Sequence, residues 1–272
     1  MTLGGWMRGK FTFLGTGASA GIPLIGCKCA VCQSTSSYNK RLRSSGLIQI
    51  NGKNFVIDVG PDFRCQALNY GIDHINGVLL THAHADHIAG IDDLRIYYFR
   101  DKKRVPCVLS KETFEEVKTR YHYMLSPMAS GKSTSAQVDF QTFDEDFGSF
   151  TLDGMEFKYF SYEQTNMKVN GFRFGNFAYV TDIREFSDRV LKELQGVDTL
   201  VLSALRHTPT RMHFSVDEAI AFSRRTLAKT TYLTHIAHDL EHAATNAILP
   251  PDVRMGYDGL EMTIEIPDKD MK

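Results

Sequence analysis

The chain holds 272 residues, 43% of them hydrophobic and 23% charged, with a formal net charge of -1. That composition suits a globular protein with a large buried core, and the near-neutral balance gives no general pull toward nucleic acid or an acidic membrane surface. No long apolar run follows the basic residues of "MTLGGWMRGKFTFLG", and none elsewhere approaches bilayer-spanning length. The expectation is a cytoplasmic protein without signal peptide or membrane partner.

In chain order, "KFTFLGTG" predicts a strand running into a glycine-rich turn. "GIPLIGCKCAVC" follows and crowds Cys27, Cys29 and Cys32 together, which in a reducing compartment argues for metal over disulfides. Cys65 and Cys107 stand alone and read as packing or free thiols. "GLIQINGKNFVIDVG" alternates around Asn51–Gly52, a strong hairpin signal. "INGVLLTH" reads as a short strand buried on both faces, and it delivers "THAHADH" at its C-terminal end. "DHIAGIDDLRIYYF" and "KETFEEVKTRYHYML" have helical character, whereas "YFRDKKR" is a short basic patch and "SPMASGKSTSAQ" a polar, mobile-looking loop. Further strands are expected in "GMEFKYF", in "GFRFGNFAYVTD" with a turn at Gly175–Asn176, and in "DTLVLSAL", "TTYLTHIAHDL" and "GLEMTIEI". Helices are expected in "FSDRVLKELQ" and in "SVDEAIAFSRRTLA", the latter opened by a Ser215–Glu218 capping box. Strands in both halves with helices between them suggest one domain spanning 1–272, layered α/β/β/α, with a cysteine-rich zinc loop near 22–35.

The chemistry concentrates in "THAHADH". In an extended segment residues i and i+2 point the same way, so His82 and His84 can approach one ion together. Asp86 and His87 follow where the chain turns into a helix and can face a second position. Mixed imidazole and carboxylate donors suit zinc, manganese or iron. Two neighbouring ions can activate a water and hold both oxygens of a displacement. The three thiolates fall one ligand short of a tetrahedral zinc, and His238 in "THIAHDL" is a credible fourth.

His82-x-His84-x-Asp86-His87 after an apolar strand resembles the metal motif of the metallo-β-lactamase superfamily. "GTGASAG", "VIDVGPD" with Asp58, "YVTDI" with Asp182 and "YLTHIAHDL" with His235 agree, from about Phe11 to near Ile266. The resemblance implies an αββα sandwich with two divalent metals, manganese or zinc, at one edge of the sheets. It implies that Asp182 bridges the ions, that His235 joins Asp86 and His87 at the second site, and that Asp58 holds the metal loop through hydrogen bonds. On bare sequence Asp182 could instead cap the "REFSDRV" helix. "GIPLIGCKCAVC" and "GYDGLEM" are similar to the phosphoribosyl cyclic phosphate phosphodiesterases, in which the cysteines and the second histidine hold a structural zinc. By position His213 in "LSALRHTPTRMHFS" resembles the histidine that contacts the substrate phosphate and protonates the leaving oxygen. Arg206 and Arg211 either offer charge to a phosphate or are solvated.

One position departs from that pattern. The family carries a further metal-binding histidine on the loop before a Gly-aromatic strand. Counting back from Gly171–Phe172, Gln164 stands there with Glu163 beside it. Either Glu163 substitutes as an oxygen donor, favouring a harder ion such as manganese, or the first site is weakened. The leading expectation is a metal-dependent hydrolase that cleaves a small cyclic or nucleotide-like phosphodiester with a di-metal-activated water, using Asp86, Asp182 and His213. A homodimer is an open alternative for its assembly. The rival reading is a non-catalytic metal-binding protein with a degenerate pocket. A lactamase would want secretion, and a tRNA-processing nuclease a long basic arm; neither is seen.

Overall fold

A computed structural model describes residues 6–125 and 135–267. Most of the polar segment "SPMASGKSTSAQ", residues 126–134, lies outside them. The first sheet contains β1 (Trp6–Gly15), β2 (Ser45–Ile50), β3 (Lys53–Ile57), β4 (Gly77–Leu79), β5 (Val105–Ser110) and β6 (Val138–Phe143). The second contains β7 (Phe147–Leu152), β8 (Met155–Gln164), β9 (Met167–Phe174), β10 (Phe177–Val180), β11 (Thr199–Ser203), β12 (Thr230–Thr234) and β13 (Val253–Met255). The last strand, β14 (Glu261–Pro267), returns to pair with β1, giving the orders β14-β1-β2-β3-β4-β5-β6 and β13-β12-β11-β10-β9-β8-β7. In each sheet antiparallel pairing gives way to parallel pairing, at β3–β4 and at β10–β11.

Local chemistry explains the turns. Asn51 and Gly52 both take positive φ, 49° and 72°, as the two-residue β2–β3 hairpin requires. Ser215 and Glu218 close the expected capping box on the helix Val216–Thr226. The helical stretch after the histidine motif is broken instead of continuous, into Ala85–Ile88, a short 3₁₀ turn Ile91–Leu94, and Arg95–Asp101. The break falls at Gly90, where an added Cβ would lie 2.2 Å from the Gly60 carbonyl oxygen. Only glycine permits that approach.

Three apolar clusters define four layers. Between the sheets lies an aromatic seam, in which Phe157 and Phe174 stack at 4.4 Å and Phe11 meets Phe177 at 4.6 Å. A second cluster packs the helices Asp188–Leu194 and Val216–Thr226 on the outside of the second sheet. A third covers the outer face of the first sheet. Truncating one of the seam's phenylalanines to alanine would cost about 3–5 kcal/mol. This rigid αββα sandwich holds the strand ends in fixed relation. Among the described residues, no helix is long and apolar enough to cross a membrane.

Candidate metal centre

Strand ends from both sheets meet at one edge of the sandwich. Asp58 follows β3, Thr81 and His82 follow β4, and Gln164 ends β8; Thr181 and Asp182 follow β10, and His235 follows β12. Asp58, Asp182 and His235 take the left-handed conformation, with φ 61°, 55° and 56°. Each such non-glycine residue costs about 1–3 kcal/mol, and such strain gathers where side chains must be aimed.

Hydrogen bonds then set the donor atoms. Asp58, fully buried, accepts from the Thr81 amide at 2.8 Å, from Thr81 Oγ1 at 2.8 Å and from His87 Nδ1 at 2.6 Å. The His87 proton is thereby held at Nδ1. Its Nε2 turns inward, 3.3 Å from Asp86 Oδ2 and 3.2 Å from Asp182 Oδ2, buried and without a hydrogen-bond partner. Thr81 Oγ1, having given its proton to Asp58, accepts from His82 Nδ1 at 2.9 Å. That leaves His82 Nε2 as a lone pair, 2.9 Å from His84 Nδ1. His235 Nε2 lies 3.3 Å from Asp86 Oδ2 and 3.4 Å from Asp182 Oδ1.

The charges follow from this packing. Burial alone would raise the Asp182 carboxyl, but His235 and His87 hold it well below the usual carboxylate range. Asp86 is held down by His87 and His235 in the same way, against burial. Burial, then the nearby His87, pushes His82 well below an ordinary histidine. His87 is the exception: burial opposes its charge, yet Asp58, Asp182 and Asp86 together push its pKa well above the ordinary value. The pocket calls for positive charge where His87 Nε2 points. Ionised carboxylates and inward imidazole lone pairs, buried together, fit divalent cations. Nitrogens sharing one ion at about 2.0–2.1 Å sit roughly 3.0–3.4 Å apart, close to the His82–His84 spacing. Among the described residues, close donor groups form from His82, His87 and Asp182; from Asp86, His87 and His235; and from Asp182, His213 and His235.

His213 belongs at this edge. Its Nδ1 is 3.4 Å from Asp182 Oδ1 and its ring stacks on His235 at 4.8 Å. Burial pushes its pKa down to about 4 against the pull of Asp182. Gln164 is 2% exposed and donates from Nε2 to Asp182 Oδ1 at 3.0 Å.

One expectation needs correction. Glu163 does not reach the centre, because alternation along β8 sends it to the opposite face, where it is exposed and its backbone pairs with Glu185. Asp182 caps no helix; Ser187 occupies the N-cap of Asp188–Leu194. His84 Nδ1 lies 2.9 Å from His82 Nε2, the spacing of two donors to one ion, although His84 joins none of the groups of three. Arg206 lies 3.8 Å from Asp239, and Arg211 is exposed.

The cysteine loop forms a separate site. Cys27, Cys29 and Cys32 Sγ lie 3.5, 3.4 and 3.6 Å from His238 Nδ1. A tetrahedral ion with bonds of about 2.3 Å to sulfur and 2.0–2.1 Å to nitrogen would set that edge at roughly 3.5 Å. The Cys32 amide and His238 lower the Cys29 thiol to about 6, so it is available as thiolate.

Sequence reasoning missed the threonines. Each strand that ends on a central His or Asp reads Thr just before it: Thr81–His82, Thr181–Asp182 and Thr234–His235, all three threonines fully buried. Thr81 bonds Asp58 and His82, and Thr181 Oγ1 donates to Asp182 Oδ2 at 2.7 Å. Asn170 was also missed; its Nδ2 ties the second sheet to the Thr81 carbonyl at 2.9 Å. The thrice-repeated Thr-ligand pair was a readable signal, whereas Asn170 had none.

The profile of the Beta-lactamase superfamily domain matches residues 53–236. A solved structure described as a new diphosphatase from the PhnP family is 37% identical, with a TM-score of 0.88 over 97% of this chain and 100% of that one. Zinc-bound PqqB from Methylobacterium extorquens, 19% identical with a TM-score of 0.74 over 93% of this chain and 99% of its own, shares the fold. An octanoyltransferase from Porphyromonas gingivalis is 30% identical over 262 residues, 93% of this chain. The chain spans only about half the length of that relative, 51%. Fold, donor geometry and profile agree: this chain is a member of the β-lactamase superfamily.

Proposed function

We propose that the protein is a metal-dependent hydrolase that cleaves a phosphodiester in a small cyclic or nucleotide-like substrate. The observation that carries this reading is the convergence of Asp86, His87, His235 and Asp182 at an edge shared with His213. Divalent ions held by these residues, with His82 and His84, would supply Lewis-acid activation of water and neutralise phosphoryl charge. Either manganese or zinc suits the donor set.

The chain's own groups do the rest. Asp58 and Thr81 keep the His87 and His82 protons at Nδ1, so both imidazoles present Nε2 inward. Asp182, held by Thr181, lies between the His87 and His235 sides. His213, neutral when free, presents a ring N–H or lone pair to the phosphoryl group. An approaching phosphate dianion or oxyanion raises its pKa and lets it hold the proton that the leaving oxygen takes. Cys27, Cys29, Cys32 and His238 would hold a structural zinc that fixes the segment bearing His235. Those thiolates must stay reduced to bind, which fits a cytoplasmic setting.

A second reading, hydrolysis of a diphosphate, is favoured by the solved relative described as a diphosphatase. A panel of cyclic ribose phosphates and diphosphate diesters, offered to metal-loaded protein, separates the two. Asp86→Ala and His213→Ala should abolish turnover of the accepted substrate while circular dichroism stays unchanged. Unaltered turnover in either variant would remove that residue from the mechanism. Failure of the whole panel would favour a non-catalytic metal-binding protein.

A further inference from the structure

We infer that Arg120 is a positioning residue for the metal loop: its guanidinium grips the Ala83 carbonyl, between His82 and His84, and so sets where His84 presents its donor atom. This inference rests on the metal-dependent reading above. The helix Lys111–Arg120 starts where β5 ends, and Arg120 is its last residue. Arg120 Nη1 donates to the Ala83 carbonyl oxygen at 2.5 Å, and Nη2 donates to Glu116 Oε2, one helical turn back, at 2.8 Å. A bond from a guanidinium is charge-assisted and about twice as strong as one between neutral groups. The Glu116 bond also aims the other, because a planar guanidinium held at one nitrogen has its remaining donors fixed in direction. The helix is itself anchored at its first turn, where Glu112 Oε1 lies 2.8 Å from Lys168 Nζ of β9, which Asp146 meets at the same distance.

His84 is the donor that depends on this grip. Thr81 Oγ1 steers the His82 ring and Asp58 the His87 ring, each through Nδ1. No such side chain holds His84 among the described residues; its Nδ1 faces His82 Nε2 at 2.9 Å, and the residue is half-exposed. Its ring therefore goes where the backbone puts it. That backbone is tied on both flanks. The Asn170 amide and Nδ2 each donate to the Thr81 carbonyl at 2.9 Å, and the Val59 amide donates to the His87 carbonyl at 2.8 Å. Between those ties Arg120 takes the Ala83 carbonyl. Ala83 is only 3% exposed, and a buried carbonyl that lost its donor would draw the loop outward toward water. His84 would move with it, away from its spacing to His82.

The test is titration of cobalt(II), whose visible absorption reports coordination geometry, into protein that keeps its cysteine-bound ion but has the paired centre stripped. Arg120→Met keeps most of the stem and removes the grip. It should weaken cobalt binding by roughly 10-fold and shift the visible bands, while the melt of the stripped protein stays near wild type. In a His84→Ala background the same substitution should cost almost nothing further, because Arg120 acts through His84. Glu116→Ala, which frees the guanidinium without removing it, should give a smaller loss of the same sense and serves if the methionine variant does not fold. Unchanged affinity and spectrum in these variants would overturn the inference and leave the functional reading standing. So would a loss of equal size with and without His84. Absence of any cobalt binding at the stripped wild-type centre would overturn both.

Discussion

The cysteine site and the paired centre lie three residues apart along one segment, at His238 and His235, yet they are built in opposite ways. The first draws three donors from a six-residue stretch, Cys27 to Cys32, and one from across the fold, and its sulfur–nitrogen edges are nearly equal at 3.4–3.6 Å. The second takes its donors from loops of both sheets, two of them holding left-handed residues, and leaves buried atoms such as His87 Nε2 and Gln164 Oε1 unpartnered. A closed tetrahedron of soft donors suits structure, and an open cluster of nitrogen and oxygen donors suits chemistry. The difference teaches that local spacing can specify a stabilising site, whereas a reactive one needs a rigid scaffold to hold distant groups under strain.

The largest effect should come from breaking the closed site. Cys29→Ser removes the thiol that the Cys32 amide and His238 lower to about 6, and a thermal melt should show a loss of several kcal/mol, with the Thr234–His238 segment loosened along with the loop. An unchanged melt would mean that no ion is held there. Next, Asp182→Asn should lower turnover by at least about 100-fold while the melt stays near wild type. Equal destabilisation by the two variants would erase the distinction between the sites.

Thr81→Val should weaken metal binding at the paired centre by about 10-fold, because the His82 proton is no longer held at Nδ1, and Thr81→Ser should restore it. A valine variant that binds like wild type would reduce Thr81 to packing.

An effect that depends on pH concerns the base of the cysteine loop, which Asp258 closes by accepting from Thr16 Oγ1 and the Leu42 amide, each at 2.7 Å. Burial raises this carboxyl to about 6. The folded state therefore binds its proton more readily than the unfolded chain. That contribution is fully present below pH of about 4 and is lost as pH rises through about 6. Between those values the stability of the wild type should fall relative to Asp258→Asn by up to about 3 kcal/mol. Denaturant melts at several pH values read the slope, and parallel slopes would discard the assignment.

Much of both sites was legible because their donors are adjacent in sequence: His82 to His87, and Cys27 to Cys32. The Asn51–Gly52 hairpin and the Ser215 cap were legible because turn and cap chemistry is local. Glu163 was misassigned since neighbours on a strand face opposite ways, and only the register of β8 against β9 decides which faces inward. β6 and β7 escaped notice because both are edge strands with mixed polar faces, while β5 carries Pro106. The helix break at Gly90 depends on the distant Gly60 backbone, which no window of sequence contains.

The most direct measurement is hydrolysis of a cyclic ribose phosphate by metal-loaded protein in water enriched in heavy oxygen, before and after chelation of the paired centre. The account predicts turnover with one heavy oxygen in the phosphate group of the product, lost on chelation and regained with manganese or zinc. Turnover that survives removal of the paired metals, or label that appears only in the released hydroxyl, would contradict it.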